Sequence, residues 1–135
     1  MGRILTLRGV LTRATKDQIM MFDSTVKSTG WKILDFKIMN QADKKYETLG
    51  LLHTDDKRYD FPDWDPNTVI ACLEISSTGN ENLLLDYNHV IVSDLYISNA
   101  SSTFEMNYLV VLEEISITPQ ENIIYQLKEI AQTTN

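Results

Sequence analysis

Asn88-His89-Val90-Ile91-Val92-Ser93-Asp94-Leu95-Tyr96-Ile97-Ser98, then Phe104-Glu105-Met106-Asn107-Tyr108-Leu109-Val110-Val111-Leu112-Glu113-Glu114-Ile115-Ser116-Ile117, then Thr118-Pro119-Gln120-Glu121, is the stretch whose reading decides the fold. In the first run His89, Ile91, Ser93, Leu95 and Ile97 alternate with Val90, Val92, Asp94 and Tyr96. Both faces are apolar near its start, which predicts one strand over Asn88 to Ser98 that is covered on both sides. Asn99 to Ser102 reads as a turn. The second run places Phe104, Met106, Tyr108, Val110 and Leu112 on one face and Leu109, Val111, Ile115 and Ile117 on the other, and reads as the longest strand. A helix over about 119–132 follows: Thr118 is the N-cap, Pro119 sits where a missing N–H costs nothing, and Glu121 completes a capping box. Ile123, Ile124, Leu127, Ile130 and Ala131 form an apolar stripe at helical spacing, which must pack on the domain's own sheet or on a neighbouring subunit.

Upstream the pattern is strand after strand. Over Arg3 to Arg13, Leu5, Leu7, Gly9 and Leu11 share a face opposite Ile4, Thr6, Arg8, Val10 and Thr12. Gln18 to Phe22 is a short apolar run. In Trp31 to Asn40, Leu34, Phe36 and Ile38 oppose Trp31, Ile33, Asp35, Lys37 and Met39. Tyr46 to His53 sets Leu49 and Leu51 on one face, and Gly50 inside it predicts a bulge or a close approach of backbone. Thr54 to Asn67 is a loop by composition. Asn67 to Ile75 aligns Val69, Ala71, Leu73 and Ile75, Ser76 to Asn82 reads as a turn, and Leu83-Leu84-Leu85 opens another strand. About eight strands in a single domain spanning 1–135 predict an all-β antiparallel sandwich, with a jelly roll as its eight-stranded form; an immunoglobulin-like sandwich or small barrel is the runner-up.

Composition bounds the partners. Apolar residues make up 43% of the chain, too many for disorder, and Cys72, the one cysteine, lies between Ala71 and Leu73 as a core thiol would. There is no secretory pattern at Met1 to Leu7 and no apolar run of membrane-spanning length, so synthesis in the host cytoplasm is expected. Gly2 and Thr6 match a myristoylation signal in form only, because Arg3 to Leu11 reads as strand. Residues 1–58 hold 11 of the 12 Lys and Arg, whereas residues 59–135 hold Lys128 alone against 12 of the 19 acids. That asymmetry suits contacts between copies, with Arg3, Arg8 and Arg13 on the basic side; dispersal over a solvated surface is the alternative. Nothing resembles an arginine-rich arm, so direct nucleic-acid binding is not expected.

Residues able to carry chemistry are few. Asp63, Asp65, Asn67 and Glu74 occupy EF-hand positions, but Thr68 stands where the turn needs Gly and Pro66 stiffens the loop. Looser calcium ligation by Asp55, Asp56, Asp60, Asp63 or Asp65 competes with simple solvation. His53 and His89 lack a third ligand at zinc spacing, and His53 beside Asp55 and Asp56 could at most tune assembly with pH. No nucleophile elbow, phosphate-binding Gly loop or Cys–His pairing occurs, and none of the 19 acids stands out as a glycosidase pair, so neither enzyme nor cofactor is expected. Asn99-Ala100-Ser101 is a glycosylation sequon best read as turn chemistry. Trp31, Tyr59, Phe61 and Trp64 suit either a subunit interface or a sugar-stacking platform.

The block Asn88 to Ile97, then Met106 to Glu114, then a capped helix resembles the end of small single-jelly-roll structural proteins of environmental DNA viruses and phages. The likeness is one of pattern and covers the last third of the chain. It implies a coat protein of the virion that assembles with itself, and with other virion proteins, into a shell, with no catalytic residues to carry over. Ile123, Leu127 and Ile130 join Trp31, Tyr59, Phe61 and Trp64 as interface candidates. The alternative is a carbohydrate- or receptor-binding sandwich module of such a particle, using Trp31, Tyr59 and Trp64.

Overall fold

A computed structural model describes residues 2–21, 28–40, 48–56, 59, 69–76, 79–100 and 105–133. It contains strands β1 (Ile4–Leu11), β2 (Thr15–Met20), β3 (Thr29–Asn40), β4 (Thr48–His53), β5 (Val69–Ser76), β6 (Gly79–Leu85), β7 (Leu95–Asn99) and β8 (Met106–Ser116), and the helix α1 (Pro119–Thr133). Two antiparallel sheets, ordered β1-β8-β3 and β2-β7-β4-β5-β6, make an all-β sandwich.

The pairing is nested. β1 runs against β8, β2 against β7 and β4 against β5, while Trp31 of β3 exchanges both backbone hydrogen bonds with Ile91, at 3.0 and 2.7 Å. The chain is thus one long antiparallel ribbon doubled back between β4 and β5. Rolling that ribbon so that β8 also meets β3 and β7 also meets β4 produces the jelly roll.

The single bridge at Ile91 corrects the expectation of one strand over Asn88 to Ser98. Only Leu95–Asn99 is strand; Tyr87 and Asn88 form a turn, and residues 89–92 cross from the five-stranded sheet to the edge of β3. His89, Val90, Ile91 and Val92 are all buried because the crossing is covered on both sides, and that cover mimicked a central strand in the sequence. Gly30 makes the approach possible, since a Cβ there would meet Val90 Cγ1 at 2.7 Å.

Four more expectations are revised, two of them by bulges. β3 slips register between Ile33 and Asp35, so Ile33 joins Phe36 and Ile38 in the core while Leu34 faces outward, 41% exposed. β3, with 12 residues, also exceeds β8 with 11. A second slip, between Leu52 and His53, parts Val69 from Ala71, Leu73 and Ile75: Val69 packs with Leu51 and Cys72 outside the five-stranded sheet. Ser76 pairs with Gly79, so most of the expected turn Ser76 to Asn82 is a hairpin strand. An edge strand needs only backbone pairing, which polar Asn80, Glu81 and Asn82 supply as well as apolar residues do.

The core between the sheets centres on Phe36, Leu52, Ile97, Met106, Val110 and Leu112. Gly50 realises the close approach expected of it: a Cβ would meet Met106 Sδ at 2.8 Å and Ile38 Cγ2 at 3.1 Å. Cys72 is fully buried, and burial, with Glu74 nearby, pushes its thiol up to about 12.

Candidate functional site

Two features of the surface layers stand out, one at the helix and one outside the five-stranded sheet. The helix begins as expected: Glu121 N–H donates to Thr118 Oγ1 at 3.1 Å and Thr118 N–H to Glu121 Oε1 at 3.0 Å. Its orientation is the unexpected part. A small cluster of Val90, Val92 and Ile117, flanked by Ile115 and Tyr125, seats it on the crossing segment. The turned-in side chain is Asn122, fully buried, with Oδ1 bonded by Gln126 Nε2 at 2.7 Å and Nδ2 unpartnered. The residues facing away are Ile123, Ile124 and Leu127, 56%, 61% and 58% exposed. The chain's own sheets therefore leave the expected stripe uncovered; the side chain of Ile130 lies outside the described residues.

The second feature is a polar cluster. Strand pairing puts His53 of β4 beside Tyr96 of β7, and Ser98 of β7 beside both Leu51 and Lys16, on one sheet face. His53 Nε2 lies 2.7 Å from Ser98 Oγ, and Nδ1 lies 2.8 Å from the Asp55 carbonyl and 3.6 Å from its Oδ1. The imidazole stacks on Tyr96 at 5.9 Å and meets Tyr59 edge-on at 4.8 Å. Tyr59 covers the cluster, donating its hydroxyl to Asp55 Oδ2 at 2.8 Å and its amide to Ser98 Oγ at 3.3 Å. Lys16 closes the far side: its ammonium stands 5.3 Å over the Tyr96 ring and pairs with Asp56.

Serine, histidine and aspartate in this order invite comparison with a nucleophile–base pair. The geometry gives them a structural role. Ser98 and His53 are fully buried, Ser98 Oγ already accepts an amide, and Nδ1 addresses a backbone carbonyl. Because a carbonyl only accepts, Nδ1 carries a proton, which leaves Nε2 facing the Ser98 hydroxyl. Desolvation pushes the Asp55 carboxyl up, but the proximity of His53, 3.6 Å from Oδ1, and the hydrogen bond from Tyr59 outweigh it and hold the group below its ordinary range. In the sequence His53 and Asp55 stand out as neighbours, whereas nothing ties Ser98, Tyr96 and Lys16 to them. A serine inside an apolar strand is the one local signal.

The other candidates are scattered. Arg3 bonds Glu114 of its own chain at 2.9 Å, whereas Arg8 and Arg13 are exposed. Trp31 is half buried beside the core. Tyr59, 4% exposed, is an interior residue, which corrects its assignment to a surface platform or interface. Phe61, Trp64, Asp60, Asp63 and Asp65 lie outside the described residues. Among the described residues no cluster of His, Cys, Asp or Glu has the arrangement of a metal site, and no helix is long and apolar enough to cross a membrane. A groove of 430 Å³ between β3, β8 and β5 is lined by Phe36, Lys37, Ile38, Leu73, Glu74 and Tyr108, among others. No protein family, curated protein or solved structure matches the chain.

Proposed function

We propose that the chain is a structural subunit that assembles with copies of itself into a shell, as the coat protein of a viral or phage particle. One observation carries the reading: α1 buries Asn122 and presents Ile123, Ile124 and Leu127 to solvent. A helix of an isolated domain gains stability by the reverse arrangement, since each large aliphatic side chain is worth about 1.5–3 kcal/mol when covered. An outward apolar stripe held by a capping box and a seated Asn122 suits a helix that is covered by another subunit. Among the described residues the exposed cations Arg3, Arg8, Arg13 and Lys37 are dispersed and form no arginine-rich arm, so a charge-neutralising grip on a genome is not part of this reading.

Light scattering and electron microscopy of the purified protein test this. Oligomers that grow with concentration and close into particles are expected; a single monomeric species across salt and concentration would overturn the reading.

A further inference from the structure

The assembly reading leaves open which surface receives the helix, and the distribution of exposed apolar side chains answers it. Outside α1, the described residues expose six large hydrophobics: Ile4, Val10, Met21, Leu34, Met39 and Tyr87. Four of the six, Ile4, Val10, Leu34 and Met39, belong to the edge strands of the three-stranded sheet. Register places Ile4, Val10 and Met39 on its outer face, and Leu34 stands out at the bulge. Val10 and Met39 flank Asn107, Arg8 and Lys37 flank Leu109, and Ile4 and Lys32 flank Glu113. Half-buried Leu109 and Val111 of β8 run down the middle. Thr6 and Asp35 flank Val111, and Asp35 lies 3.6 Å from the Lys37 ammonium, so the face is an apolar strip whose borders mix the cations Arg8, Lys32 and Lys37 with Asp35.

We propose that the apolar face of α1 docks on this outer sheet face in a second copy of the chain, head to tail. The inference rests on the assembly reading and names the two surfaces that meet. Helices pack on sheets through such strips, and the aliphatic match is direct: Ile123, Ile124 and Leu127 on one side, Val10, Leu109 and Met39 on the other. Charge agrees. The helix carries Glu121 in its first turn and no basic residue in its last, so the negative end of its dipole is uncompensated, while exposed Arg8 offers the complement; Lys37 is already paired with Asp35. Because donor and acceptor surfaces differ, the contact is heterologous and propagates into rings or closed shells instead of stopping at a two-fold dimer.

The test uses two blocked variants of the full chain. Leu127→Asp disables the helix and leaves the sheet face intact; Val10→Glu combined with Met39→Glu disables the sheet face and leaves the helix intact. All three positions are exposed, so unchanged circular dichroism and melting are expected of each monomer. If the acidic sheet variant folds poorly, Arg8→Glu replaces it. Each variant alone sediments as a monomer, with association weakened by roughly thirtyfold or more. Mixed one to one, they form dimers and nothing larger, since one good helix meets one good sheet face. A sheet variant that assembles like the wild type, as helix-to-helix pairing would allow, overturns the proposal, as does a mixture that stays monomeric. Wild-type protein that never associates would instead refute the assembly reading itself.

Discussion

His53 Nε2 and Ser98 Oγ, 45 positions apart in sequence, meet at 2.7 Å across the β4–β7 pair. Both side chains are fully buried, and the same oxygen accepts the amide of Tyr59. Ser98→Ala would strand an imidazole nitrogen and an amide in a site where water does not reach. An unsatisfied buried group costs about 1–3 kcal/mol, so a loss of about 2 kcal/mol is expected. Urea unfolding would show it as a lower midpoint with unchanged slope. A loss below about 0.5 kcal/mol, the size of an ordinary surface change, would mean that the cluster does not tie the strands.

Asp55 gives the same cluster a pH dependence. Its carboxyl is held below the ordinary range in the folded chain, so the unfolded chain binds the proton more readily. The contribution is therefore complete above the unfolded value of about 3.9 and fades as pH falls through the lower folded value. Asp55→Asn should reduce stability at neutral pH and flatten the acid limb of the stability curve. Parallel acid limbs for variant and wild type would show that other carboxylates govern acid unfolding.

Much of the fold was legible because strand periodicity survives in single residues. β1 exposes Ile4, Thr6, Arg8 and Val10 and turns Leu5, Leu7, Gly9 and Leu11 inward, as alternation requires. The capping box, made of residues three apart, was legible for the same local reason. Bulges were not, because one inserted residue reverses the parity of all that follow; Leu34 and Ile33 exchanged faces on that account. The crossing at Val90 to Val92 was missed because burial on both sides has one sequence signature whether it comes from a central strand or a passage between sheets. The His53 cluster draws on β2, β4, β7 and the segment after β4, so no spacing in the sequence could reveal it. Nor does helical periodicity state which side of a helix its own domain will cover, and here that was Asn122.

Gly50 tests how tightly the two sheets are packed. A methyl group at this buried position would stand 2.8 Å from Met106 Sδ and 3.1 Å from Ile38 Cγ2, both inside van der Waals contact. Met106 is fully buried and Ile38 is branched, so neither can swing into solvent. Overpacking of this kind costs about 1–3 kcal/mol, and Gly50→Ala should lie in that range although alanine suits a strand better than glycine. Thermal unfolding measures it; a stabilised variant would mean that the sheets separate more easily than their contacts suggest.

The capping box governs the helix more than the sandwich. Thr118→Ala removes the acceptor of the Glu121 amide and should weaken α1 by about 1 kcal/mol. Because α1 is seated mainly through Asn122 and Tyr125 near Val90, Val92 and Ile117, its opening need not disturb the core around Val110 and Leu112. Hydrogen exchange should therefore show faster exchange, by roughly fivefold, in the amides of α1, with those of β8 unchanged. If helix and β8 lost protection together, α1 would be part of the cooperative core, and its outward apolar face would have to be explained by the folding of the single chain instead of by contact with a second one.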